Sequence, residues 1–137
     1  MKFKVLLTAV MAVFSLNVVF GQIYDPVDWT FEVELKDNNQ AELIMKATIE
    51  EGWHIYAMDL PSDQGPLPTE FIYNPANSYS LEGRTQEGKY VTHYDPNFDM
   101  DLNYFEDEAV FRQLINRLSE EKFSVTGELS FMVCNEE

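Results

Sequence analysis

The chain has 137 residues, with 9 Lys and Arg against 24 Asp and Glu and a formal net charge of −15. A surface this acidic is a poor partner for nucleic acid or for anionic headgroups. Because 45% of the residues are hydrophobic and the acids are scattered among them, the composition describes a folded acidic domain and excludes a disordered acidic tail.

The first segment, Met1 to Gly21, begins with Lys2 and Lys4, continues as an apolar run from Val5 to Phe20, and leaves through Val19-Phe20-Gly21. That order is the pattern of a signal peptide, expected over residues 1–21. The apolar run falls short of the roughly 20 residues a spanning helix needs, and no later segment is a membrane candidate, so no membrane insertion is expected after cleavage. Residues 22–137 then make one ordinary domain in a periplasmic or secreted location. Export matters because an oxidising compartment rarely leaves an odd thiol without a pairing or redox role.

The mature part reads as strand after strand. Trp29, Phe31, Val33 and Leu35 alternate with Thr30, Glu32 and Glu34, and residues 36–40 supply a turn. Ala41, Leu43, Met45, Ala47 and Ile49 share one face of the next strand. A turn at Gly52 leads into Trp53 to Met58, and residues 59–68, with three prolines and a glycine, form a loop. Short strands are expected at Thr69 to Tyr73, Ser78 to Leu81 and Tyr90 to Tyr94. In Ala109 to Leu118 the residues Val110, Phe111, Leu114, Ile115 and Leu118 fall at helical spacing, but the sheet context favours a strand that turns at 119–122 into Phe123 to Cys134. Many short strands separated by Pro, Gly and Asn turns imply an all-β antiparallel sandwich or barrel.

Three groups could carry chemistry. Asp95, Asn97, Asp99, Asp101, Asn103 and Glu106 imitate the spacing of a calcium loop, yet Met100 stands where the sharp turn needs glycine and no helix precedes Asp95. The stretch reads better as a strand or extended loop with one wet face, and no metal site is expected. Trp53, His54 and Tyr56 follow the glycine turn, and His93-Tyr94 lies elsewhere; two histidines and one cysteine are too few for a zinc site. Cys134 is the only cysteine. Phe123, Val125, Leu129, Phe131 and Val133 occupy the odd positions of the last strand, so Cys134 points to the face away from the core. It is either a reactive thiol at a strand end or a small buried hydrophobe.

Four motifs occur in order: Gly52-Trp-His-Ile-Tyr-Ala-Met-Asp59, Gly65-Pro-Leu-Pro-Thr69, Tyr94-Asp-Pro-Asn-Phe-Asp-Met-Asp-Leu-Asn-Tyr-Phe-Glu106 and Gly127-Glu-Leu-Ser-Phe-Met-Val-Cys-Asn135. In that order they resemble the N-terminal periplasmic domain of the DsbD-type thiol:disulfide interchange proteins. The resemblance covers nearly all of residues 22–137. It implies an immunoglobulin-like β-sandwich that passes reducing equivalents, received from a thioredoxin-like reductant domain, to periplasmic disulfide-bearing proteins, with no bound cofactor. It places the first redox cysteine on Cys134 and the second a few residues beyond Glu137, so the chain looks truncated before its second cysteine. It also implies an aromatic cap over the redox site, matched best by Tyr104 and Phe105, and neighbours of the thiol at Tyr56 and, where the family has another tyrosine, His54. The alternative from another class is a non-catalytic secreted sandwich that binds protein or glycan through its acidic, aromatic surface.

Overall fold

The computed structural model describes residues 23–135, so the expected signal peptide at 1–21 lies outside the described residues. Among the described residues ten strands follow one another: β1 (Val27–Leu35), β2 (Gln40–Ile49), β3 (Trp53–Tyr56), β4 (Glu70–Tyr73), β5 (Tyr79–Glu87), β6 (Val91–Asp95), β7 (Met100–Phe105), β8 (Glu108–Arg117), β9 (Gly127–Ser130) and β10 (Val133–Asn135). No helix occurs among the described residues, and none there could cross a membrane. The segment with helical spacing is the ten-residue strand β8.

The strands form antiparallel sheets in the orders β1-β2-β8-β5 and β10-β3-β7-β6, with β4-β9 as a separate pair. The main core lies between them: Leu43, Met45, Ala47, Ala109, Phe111 and Ile115 of the first sheet meet Ile55 and Phe105 of the second. Phe71 of β4 and the link residue Phe131 pack onto the same core through Trp29 and Phe111. This is the immunoglobulin-like sandwich. Period two explains it, since each of these residues is followed along its strand by one that points the other way.

The structure departs from the sequence reading in three places. β5 runs on to Glu87, well past Leu81, through an irregularity between Glu82 and Gln86 where Gly83 takes a φ of 69°. The last strand is not continuous from Phe123; β9 and β10 are separated at Phe131 and Met132, so the chain pairs with β4 first and with β3 afterwards. The apolar face of β1 is covered only at its start. Val27 is buried and Trp29 half-buried, whereas Phe31, Val33 and Leu35 are exposed although they stand opposite Met45, Leu43 and Ala41 on the core side.

Candidate functional site

The sheet β10-β3-β7-β6 has apolar residues on both faces, and the second face builds the site. Ile55 and Phe105, paired across β3 and β7, point into the main core. Their neighbours Tyr56 and Tyr104, also paired, point away from it and form a second, smaller core with Leu102. Cys134 stands opposite His54 in the β10–β3 ladder and therefore joins this second face. The thiol is half-buried, packed against the second core together with Met132, Phe98, Met100 and Leu60.

Tyr56 is fully buried, and its hydroxyl donates to Asp95 Oδ2 at 2.7 Å. Asp95 is only 7% exposed, and its other oxygen accepts the Asn97 backbone N–H at 2.8 Å. The carboxylate thus closes the β6–β7 hairpin, whose loop Pro96 to Asp99 ends with Asp99 in the left-handed region at a φ of 55°. Burial, the Asp95 carboxylate and the adjacent Cys134 sulfur together push the Tyr56 phenol far above its ordinary range, so it stays protonated. A phenol has one proton. While it donates to Asp95, its oxygen can only accept from the Cys134 S–H.

Several bonds hold this arrangement. Thr69 Oγ1 donates to the Tyr56 carbonyl at 2.7 Å, and the Ala57 N–H donates to the Asn103 carbonyl at 2.9 Å, fixing the end of β3. The His54 ring lies edge-on to Tyr56, with centroids 5.1 Å apart, and 4.7 Å from Tyr104. Phe98, from the hairpin loop, meets Tyr56 edge-on at 6.0 Å.

Of the residues expected around the thiol, the structure brings Cys134, His54, Tyr56 and Tyr104 together and leaves Phe105 out. Phe105 is 3% exposed and packs edge-on against Phe111 in the main core. Adjacent residues of one strand cannot cover the same site, so the pair Tyr104 and Phe105 is not a single lid. Phe98, Asp95 and Met132 were not singled out for the site from the sequence. Phe98 could have been found from Asp95-Pro96-Asn97, which marks the hairpin turn that carries it. The calcium-like window is this hairpin, and among the described residues no group of three or more His, Cys, Asp and Glu could hold a metal ion.

The family model described as "Thiol:disulfide interchange protein DsbD, N-terminal" matches residues 23–137. No curated protein and no solved structure matches the chain. The chain belongs to the family of DsbD N-terminal domains.

Proposed function

We propose that this domain exchanges thiols and disulfides through Cys134 and hands reducing equivalents to disulfide-bearing proteins in the periplasm. The observation that carries the reading is the position of Cys134, a half-buried thiol on the second face of its sheet, packed on the small core of Tyr56, Leu102 and Tyr104 beside a buried phenol–carboxylate pair. Family membership supplies the reaction class.

In the forward step the Cys134 thiolate attacks one sulfur of the partner's disulfide. A new S–S bond forms, the partner's bond breaks, and its second sulfur leaves as a thiolate that takes up a proton. The proton lost by Cys134 passes to solvent or to that leaving group. A second thiol then attacks the Cys134 sulfur and releases the reduced partner, so two electrons leave the thiol pair. The 137 residues hold a single cysteine, so this resolving thiol is supplied from outside them, and a thioredoxin-like dithiol would later restore the pair.

Tyr56 and His54 are positioning residues in this reading. Tyr56 stays neutral, so it brings no second negative charge beside the thiolate. His54, across the ladder from Cys134, holds Tyr56 and Tyr104 in place. Tyr104 and Phe98 replace the expected Tyr104 and Phe105 as aromatic cover, and displacement of the Phe98 loop opens the sulfur to a partner.

Incubation of the 137-residue chain with oxidised glutathione tests this. One mixed disulfide per chain is expected, absent in Cys134→Ser, and released only when a thiol such as dithiothreitol is added. Catalytic turnover without added thiol, or a Cys134 that remains unreacted in the folded chain, would contradict the scheme.

A further inference from the structure

The segment between β3 and β4 belongs to no strand, yet it packs on the same small core as Cys134. Leu60 lies against that core. A Cβ placed on Gly65 would touch Met100 Sδ at 3.4 Å and Leu102 Cδ2 at 3.7 Å, so the loop runs along the start of β7, where the hairpin carrying Phe98 rejoins the sheet. The far end of the loop is tied back to β3 by the Thr69–Tyr56 bond. The near end is held from the opposite sheet.

Glu87, the last residue of β5, stands opposite the fully buried Phe111 in the β5–β8 ladder, so its half-buried side chain points to the core side, toward the second sheet. The β3–β7 ladder ends at Tyr56, which leaves the next N–H groups in need of other acceptors. Glu87 supplies them: Oε2 accepts from the Met58 N–H at 2.7 Å and Oε1 from the Asp59 N–H at 3.1 Å. Arg84 Nη2 donates to Asp59 Oδ1 at 3.0 Å, and Asn103 Nδ2 donates to the Asp59 carbonyl at 2.8 Å. Asp59 is thus bound through its N–H, its carbonyl and its carboxylate.

Arg84 and Glu87 are three positions apart, and in an unbroken strand such a pair points to opposite faces. The irregularity between Glu82 and Gln86 brings both to the start of the loop. Buried Gln113 holds that irregularity, donating from Nε2 to the Gly83 carbonyl at 3.3 Å and accepting the Thr85 hydroxyl at Oε1 at 2.8 Å. Re-aiming a side chain beside a site is a recurrent use of a bulge. Resting on the reading of Cys134 as the exchanging thiol, we propose that Glu87 is a positioning residue for that reaction: it seats the 59–68 loop as a fixed wall of the small core, which a bulky reagent must displace to reach the sulfur. The Phe98 hairpin closes against this wall. Release of the Met58 and Asp59 amides detaches Leu60 while Thr69 still holds the far end, so the loop swings out with both sheets intact.

The test is the ratio of the rate constants at Cys134 for N-ethylmaleimide and for a maleimide carrying a long polyethylene glycol chain. Each rate is taken after subtracting the share that passes through global unfolding, which is the unfolding constant from urea melts times the rate of the unfolded chain. In the native sequence the ratio should exceed that of the unfolded chain. Glu87→Ala should lower it by about threefold or more and speed hydrogen exchange at Met58 and Asp59. Glu87→Gln leaves one acceptor oxygen for two N–H groups and should fall between. Leu60→Ala removes the wall itself, so it should lower the ratio as Glu87→Ala does, and the double variant should add nothing. A native ratio equal to that of the unfolded chain, a ratio unmoved by Glu87→Ala and Glu87→Gln, or additive effects of Glu87→Ala and Leu60→Ala overturns the positioning role and leaves exchange through Cys134 standing. A native Cys134 that reacts with neither maleimide until urea unfolds the chain overturns both.

Discussion

The Tyr56–Asp95 bond links residues 39 positions apart, and both partners are withdrawn from water, so its loss leaves a buried carboxylate that keeps the Asn97 N–H but loses the phenol. A hydrogen bond to a charged group contributes about 1.5–3 kcal/mol, and Tyr56→Phe should lower stability at pH 7 by roughly that amount in urea unfolding. Alkali gives the same residue a second signature. An unfolded tyrosine ionises near pH 10, whereas folded Tyr56 holds its proton well beyond that, so above pH 10 the native state binds more protons than the unfolded one. The stability tied to this proton is therefore fully present below about pH 10 and declines as pH rises above it. Midpoints measured between pH 8 and pH 11 should fall more steeply in the native sequence than in Tyr56→Phe. Some slope should survive in the variant, because burial also raises the Tyr73 phenol. Parallel profiles would mean that Tyr56 is already ionised or solvated in the folded chain.

At the scale of strands, β4 and β9 show how little space one pair allows. A Cβ added at Gly127 would lie 2.2 Å from the Ile72 carbonyl oxygen and 3.1 Å from the Tyr73 Cα, and backbone cannot swing aside as a side chain can. Gly127→Ala should therefore cost about 3 kcal/mol or more, at or beyond the upper end of ordinary overpacking, with hydrogen-exchange protection lost first over Glu70–Tyr73 and retained in β2 and β8. A melt unchanged from that of the native sequence would show that β4 and β9 are not paired in this register. Strands were legible in the sequence wherever one face alone is apolar, as in β2. β8 was harder to read because Gln113 occupies a core position and Val110 and Leu114 lie half-buried on the other face, which breaks the alternation. Its amide is satisfied locally, accepting from Thr85 at 2.8 Å and donating to the Leu114 carbonyl at 2.9 Å. The parity of Cys134 was legible too. The Tyr56–Asp95 contact was not, because nothing local announces a bond across 39 residues. The pairing of Tyr104 with Phe105 as one cap contradicts the period of the strand that carries them.

For the whole molecule, the sheet β10-β3-β7-β6 divides two cores of unequal weight, and that division determines how a reagent reaches the thiol. Phe111 is fully buried in the larger core, where replacement by alanine should cost about 3–5 kcal/mol. Phe98 is half-buried on a hairpin loop over the smaller core, so its replacement should change global stability far less. If Cys134 becomes accessible only when the domain unfolds, Phe111→Ala should accelerate alkylation by iodoacetamide more than a hundredfold, since each 1.4 kcal/mol is about tenfold, while Phe98→Ala should do little. The geometry predicts the reverse order, because Cys134 is only partly buried and packs on the same small core as Phe98, whose ring belongs to a loop. Phe98→Ala should raise the alkylation rate with a small change in melting temperature, and Phe111→Ala should leave the rate within a few-fold of the native value under conditions where it remains folded. Alkylation rates that track melting temperature across both variants would place Cys134 behind global unfolding and remove the loop's part in access.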